Sequence, residues 1–297
     1  MFRFSLLWGL LSALGYFFWR FFSPQHSDLI LENKVVIITG ASSGLGRALA
    51  MAFARRGSRV VLTARRLELL EEVYREIEPY AAAAHIIQAD LTDDEQLRRI
   101  VPETLDVFGR IDVLVNNAGR NGGSLFQNTS TERIDSHLAL NLRAPIMLTH
   151  QVLPLMISQG SGSIMNIGST ASRVAAPTFV SYGASKHGLA GFTDALRREI
   201  EGAGVHVMLA LPGWVRTEMV PPVLVEKVRQ RGFNVLEADD VAEAFVQALV
   251  RGQEEILVGD WLLRAAILAE RYAPLLHRLY WRIYLTRTWV DATKKIP

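Results

Sequence analysis

The stretch Val35-Val36-Ile37-Ile38-Thr39-Gly40-Ala41-Ser42-Ser43-Gly44-Leu45-Gly46 narrows the fold more than any other part of this 297-residue chain. Its first four residues are β-branched and uninterrupted by polar ones, the pattern of a strand buried on both faces of a parallel sheet. The glycines that follow permit a tight turn and close backbone approach, and a helical pattern takes over from Arg47 to Arg56. A strand that turns through glycines into a helix presents free helix N–H groups to a phosphate, so the stretch reads as a dinucleotide site rather than an ordinary turn.

Strand and helix patterns alternate from there on. Strands are expected at 59–63, 85–89, 111–115, 163–167, 205–210 and 255–258, and helices at 67–78, from about 92, along 130–156, at 181–201 and at 238–250. This order implies an α/β domain, a doubly wound parallel sheet covered by helices on both faces. With 49% hydrophobic residues the chain can bury one such core. Residues 217–236 are Pro- and Val-rich and read as an irregular segment, a candidate lid over a substrate. The expected organisation is a membrane anchor at 1–22, a linker at 23–33, a dinucleotide-binding catalytic domain at 34–260 and a basic amphipathic helical extension at 261–297.

Several classes are excluded or disfavoured. A net charge of +2, with both signs interspersed, gives no electrostatic case for nucleic acid. The absence of cysteine removes disulfides, thiolate nucleophiles and Cys-based zinc sites, and the seven histidines show no metal-ligand spacing, so no metal is expected.

Residues 4–19, FSLLWGLLSALGYFFW, carry no charge and lie between Arg3 and Arg20. As a helix they span about 24 Å, short of a ~30 Å hydrocarbon core unless the arginines snorkel and Phe21 and Phe22 join in. The reading is an uncleaved single-pass transmembrane anchor, with a signal peptide and a docked helix as alternatives; no convincing cleavage site follows. One arginine on each side leaves orientation nearly open, with the catalytic domain placed on the cytoplasmic side. At the other end, Arg264, Arg271 and Arg278 recur every seven residues among Leu, Tyr and Trp, with Pro274 dividing the stretch. That pattern suits a membrane surface, a sister subunit or a cover over the substrate entrance. Asn128-Thr129-Ser130 is a glycosylation sequon, read as an unmodified polar loop.

Certain side chains carry chemistry. The second strand ends in Ala64-Arg65-Arg66, where an acid would bind the ribose 2′-hydroxyl of NAD and a guanidinium suits the 2′-phosphate of NADP; the arginines predict NADP(H). Asp90 is either a helix cap or an acceptor for the adenine amino group. Asn116-Asn117-Ala118-Gly119 ends the strand at 111–115, at the crevice where such sheets bind ligands. Asn141, among leucines and alanine, either holds a water or bends its helix. Ser169 follows the strand at 163–167. Tyr182 and Lys186, four apart on one helix, face the same way, and a nearby ammonium brings a phenol into range as a general acid or base.

Assembled in this order, Thr39-Gly40-x-x-x-Gly44-x-Gly46, Asn116-Asn117-Ala118-Gly119, Asn141, Ser169, Tyr182-x-x-x-Lys186 and Pro212-Gly213 resemble the short-chain dehydrogenase/reductase family in its single-domain, Rossmann-type form, over about residues 34–258. The resemblance implies Tyr182 as proton donor or acceptor and Ser169 holding the substrate oxygen. Lys186 would bind the nicotinamide ribose and lower the Tyr182 pKa, and Asn141 would bind a water linking Lys186 to solvent. Gly40, Ser42, Ser43, Gly44, Leu45, Gly46, Arg65, Asp90, Asn117, Pro212, Val215 and Thr217 would line the cofactor, Thr217 at the carboxamide. The implied activity is hydride transfer between NADP(H) and a carbonyl or secondary alcohol. Membrane proximity points to an apolar substrate such as a sterol, retinoid or lipid ketone, with a turnover-free scaffold as the alternative. A homodimer is expected by analogy.

Overall fold

A computed structural model describes residues 29–218, 220, 222–230 and 232–282. The proposed anchor at 4–19 and the end of the chain lie outside them, and among the described residues no helix is long and apolar enough to cross a membrane.

The β-branched run forms β1 (Val35–Thr39), every residue of which is buried. Around it lie β2 (Arg59–Ala64), β3 (Ala83–Gln88), β4 (Val113–Asn116), β5 (Gly162–Ile167), β6 (Val205–Pro212) and β9 (Glu255–Val258). The order is β3-β2-β1-β4-β5-β6-β9 and every pairing is parallel, so the sheet is the doubly wound, Rossmann-type one expected. Side chains alternate along a strand, so β1 feeds two cores. Val36 and Ile38 pack with Leu49 and Phe53 of α1 (Gly44–Ala54), Leu70 of α2 (Leu67–Ile77) and Phe245 of α8 (Ala238–Val250). Val35 and Ile37 pack with Ile100 of α3 (Asp94–Phe108), Leu148 of α5 (Ala144–Gln159) and Leu196 of α6 (Val180–Glu199).

Strand order reverses between β1 and β4, which opens a crevice at their carboxyl ends. Thr39 stitches its floor: Oγ1 donates to the Val115 carbonyl at 3.1 Å and accepts from the amides of Asn117 and Ala118 at 2.9 and 3.0 Å. Asp112 closes the opposite end of the same strands, accepting from the Val35 amide at 2.9 Å and from Arg110.

The expected irregular lid at 217–236 is corrected in part. It contains α7 (Pro222–Gln230), and β8 (Val235–Glu237) pairs in parallel with β7 (Trp214–Arg216). Proline is tolerated in a first helical turn, where its missing N–H has no intrahelical partner. The extension forms α9 (Trp261–Tyr272) and α10 (Pro274–Tyr280), divided at Pro274 as its sequence suggests.

Candidate active site

A cleft of about 1420 Å³ follows the crevice from Arg65 and Arg66 to helices α9 and α10. Gly40, Ser42, Ser43, Gly44, Leu45, Gly46, Arg65, Asp90, Asn117, Ser169, Tyr182, Lys186, Pro212, Val215 and Thr217 all line it; Asn141 stands behind.

The glycine turn is tightly fitted. A Cβ on Gly46 would lie 2.0 Å from the Gly40 carbonyl oxygen, and one on Gly44, whose φ is +53°, would lie 2.9 Å from the Thr217 methyl. Ser43 gives α1 no side-chain cap and no acid stands in its first turn, so its leading amides suit an anion. Asn117 Nδ2 holds the turn from below, donating to the carbonyls of Thr39 and Gly40 at 2.8 and 3.3 Å. These donors fit the diphosphate of a dinucleotide.

The two arginines after β2 differ. Arg65 is exposed and reaches Asp90 at 3.5 Å. Arg66, which sequence reasoning set beside Arg65 without selecting it, donates to Ser42 and Ser43 hydroxyls at 3.2 and 2.7 Å and pairs with Glu218 at 3.1 Å. Its signal was the pair of serines in the glycine turn. Asp90 is not the cap of α3, a role taken by Asp93, whose carboxylate accepts from the amides of Glu95 and Gln96. Burial opposes ionisation of Asp90, but hydrogen bonds from Thr92 and the charge of Arg65 outweigh it and hold the carboxyl below its usual range.

At the other end, Ser169 caps a single 3-10 turn, Thr170–Ser172, accepting from the Ala171 amide at 3.1 Å. The Ser169 and Tyr182 side chains both line the cleft. Lys186, only 5% exposed, donates through Nζ to the Ile167 carbonyl at 2.7 Å. Burial lowers the Lys186 pKa to about 8. The expected lowering of the Tyr182 pKa by Lys186 is not what this geometry gives: burial raises the phenol, and only the Ser169 hydroxyl opposes it. The ammonium is engaged by a backbone carbonyl instead.

Asn141 sits where its helix is distorted. It lies in a π-helical turn, Ala139–Arg143, between α4 (Thr131–Leu138) and α5. Its amide accepts from the Arg120 N–H at 2.8 Å, donates to the Arg120 carbonyl at 3.0 Å and donates to Ser185 Oγ at 3.1 Å. Asn116, whose role was open, bridges strands: Nδ2 donates to Asn166 Oδ1 at 2.8 Å.

A hydroxyl pair beside a buried amine, at one end of a cleft with an anion site at the other, can protonate an oxygen on which negative charge develops. Fold and cleft together define a dinucleotide-dependent oxidoreductase of the short-chain type, and the chain belongs to the short-chain dehydrogenase family, whose pattern matches residues 34–227. It is therefore an oxidoreductase that uses a nicotinamide cofactor. The chain is similar to dehydrogenase/reductase SDR family member 7B of Rattus norvegicus, 30% identical over 302 residues, spanning 98% of this chain and 91% of that protein. It is also similar to dehydrogenase/reductase SDR family protein 7-like of Drosophila melanogaster, 32% identical over 270 residues (87% and 82%). A third relative is 11-beta-hydroxysteroid dehydrogenase 1A of Arabidopsis thaliana, 34% identical over 264 residues (83% and 75%).

Proposed function

We propose that the protein is a membrane-associated, NADP(H)-dependent reductase of an apolar ketone, or dehydrogenase of the matching secondary alcohol, of sterol, retinoid or lipid class. The observation that carries this reading is the composition of one continuous cleft. Arg65 and Arg66 stand at one end, Ser169, Tyr182 and Lys186 in the middle, and Leu262, Ile267 and Leu276 of the C-terminal helices beyond them. Three of the relatives found are named as 11-beta-hydroxysteroid dehydrogenases or as resembling one, which agrees with a large apolar substrate.

In this reading the α1 amides, Ser42 and Ser43 hold the diphosphate, and Arg66, with Arg65, holds the 2′-phosphate. Lys186 holds the nicotinamide ribose, and Thr217, packed on Gly44, the carboxamide. The nicotinamide supplies the hydride when bound. Tyr182, a protonated phenol at neutral pH whose pKa burial raises further, gives its proton to the carbonyl oxygen while the Ser169 hydroxyl holds that oxygen in place. The exposed Trp261, Leu268, Tyr272 and Leu275, beside the cleft mouth at Leu276, give the substrate a route from a bilayer that residues 4–19 would anchor.

The test is cofactor oxidation by the full chain in detergent with NADPH and NADH in parallel, against apolar ketones and aldehydes. NADPH-dependent turnover that Tyr182→Phe removes, with NADPH binding kept, is expected. Equal or better efficiency with NADH overturns the cofactor assignment, and wild-type turnover in Tyr182→Phe overturns the proton donor. NADPH binding with no turnover on any carbonyl leaves a cofactor-binding scaffold as the function.

A further inference from the structure

The π turn and α4 hold helix α6 through two side-chain bridges set four residues apart on both sides. In one, Asn141 donates to Ser185 Oγ at 3.1 Å and closes on both backbone atoms of Arg120. In the other, His137 Nδ1 meets Ser181 Oγ at 2.8 Å. The serines immediately precede the two residues that face the reaction: Ser185 comes before Lys186 and Ser181 before Tyr182. Neither His137 nor Ser181 lines the cleft.

The second nitrogen of His137 completes the parallel. The Asn121 backbone acts on the ring in the sense that favours its protonated form, so the Asn121 carbonyl faces the ring. A Cβ on neighbouring Gly122 would lie 3.7 Å from Nε2, which places that atom at the loop. With Nε2–H turned to the loop, Nδ1 of a neutral ring is left to accept the Ser181 hydroxyl proton. Burial first, then the charges of Arg120 on the loop and Arg133 on α4, hold the His137 pKa below its ordinary 6.5, and the ring is 1% exposed. From α6 the titratable group facing it is Tyr182, whose ring meets the imidazole edge-on, centroids 6.2 Å apart at 72°. Phe179 meets the same phenol at 6.2 Å and 66°.

We propose that His137 is a positioning residue for the reaction, its neutral imidazole holding Ser181 between α4 and the 120–122 loop and packing edge-on against Tyr182, and so fixing the Tyr182 phenol as Asn141 and Ser185 fix Lys186. This rests on the proposed role of Tyr182. A protonated ring must donate at Nδ1, which forces the Ser181 hydroxyl to turn and sets a charge beside Arg120 and Arg133. The brace therefore holds only while the ring is neutral.

The experiment uses the full chain in detergent, NADPH and a carbonyl turned over in the panel above, with His137→Phe, His137→Gln and Ser181→Ala. Phe keeps a ring edge against Tyr182 and loses the bond to Ser181; Gln offers an acceptor and a donor. His137→Phe and Ser181→Ala should each lose about tenfold in kcat with NADPH Kd within about twofold, and His137→Gln should return to within about threefold of wild type. Wild-type kcat should fall as pH drops below 6.5, and His137→Gln should lack that fall. Where His137→Phe does not fold, Ser181→Ala and His137→Gln decide. Unchanged kcat in Ser181→Ala, or an acid fall retained by His137→Gln, overturns the proposal. Histidine 15N NMR, assigned by the loss of a signal in His137→Gln, decides the brace without turnover. The Nε2–H neutral tautomer persisting below pH 6.5 supports it, and an Nδ1–H tautomer or titration at or above 6.5 overturns it. If no carbonyl is reduced by wild type, the functional reading fails while NMR still settles the brace.

Discussion

Lys186→Met tests the electrostatics of the site through stability. In the folded chain burial holds Lys186 at about 8, against 10.5 for a free lysine. Between those values the unfolded chain carries a proton that the folded chain lacks, so wild-type stability rises with pH at about 1.4 kcal/mol per unit. The whole window is worth about 3 kcal/mol. It is fully present above 10.5 and lost as pH falls to about 8, below which the folded protein carries the buried charge. Methionine keeps the length of the side chain and removes the titration. It also leaves the Ile167 carbonyl without its donor, a cost of roughly 1–2 kcal/mol that does not depend on pH. Urea unfolding of both proteins at steps from pH 7 to 10.5 gives the difference, in which other titrating groups cancel. Wild type should gain about 3 kcal/mol on the variant across that range, nearly all of it above pH 8. A difference constant to within about 0.5 kcal/mol would refute the view that a buried ammonium is held there. The variant should also be inactive at pH 7.5 by NADPH oxidation.

Gly46→Ala places a methyl 2.0 Å from the Gly40 carbonyl oxygen, backbone that cannot move aside. It should lose about 3 kcal/mol or more by thermal or urea melting, or not fold. Arg66→Ala removes the guanidinium at Ser42 and Ser43 and should raise the KM for NADPH about tenfold while leaving that for NADH unchanged. Equal effects on both cofactors would show that Arg66 does not read the 2′-phosphate. Asp112 is buried, which opposes its ionisation, yet bonds from Arg110 and the Val35 amide keep its carboxyl below the usual range. Its stabilisation is present above the ordinary carboxyl value of 3.8 and is lost as pH falls through the lower folded value. Asp112→Asn should cost about 2–4 kcal/mol at pH 7 and less under acid conditions, measured by urea melts at both.

The sheet was legible because its central strands advertise themselves. Val35 to Ile38 need no partner to be recognised, since a β-branched run between turn residues has few other uses. Strand β3 begins two residues earlier than its sequence suggests, because Ala83 and Ala84 carry no periodic signal and join only by pairing with Arg59 and Val60. The β7–β8 pair escaped for the same reason: three residues cannot show a period, and Trp214 meets Val235 only through the fold. Among the candidate site residues the motifs placed Ser169, Tyr182 and Lys186 together, since strand ends and one helix face converge on the crevice by topology alone. Hydrogen-bond partners were not legible. That Lys186 Nζ turns to the Ile167 carbonyl, or that Arg66 rather than Arg65 reaches the glycine turn, depends on side-chain paths across the cleft. The second bridge was half visible, as spacings of four at 137/141 and 181/185, but nothing in either helix says that it faces the other.

The C-terminal extension shows how a sequence period can carry two meanings. Arg264, Arg271 and Arg278 look like one basic stripe, yet Arg264 donates to the Leu257 carbonyl at 2.9 Å and Arg271 lies over the Tyr272 ring at 5.5 Å. Arg264 thus binds the extension to β9, and Leu263 presses on Gly213 and Gly259, where added Cβ atoms would meet it at 2.8 and 3.0 Å. The helix is seated on the turn after β6, beside the proposed carboxamide end of the cofactor site. One of its faces closes the cleft while Trp261, Leu268 and Tyr272 stay exposed. An element fixed so close to the chemistry cannot shift at a membrane without moving a wall of the cleft. On the proposed reading, contact with a bilayer and access of an apolar substrate are therefore coupled through α9 rather than separate properties of the two ends of the chain.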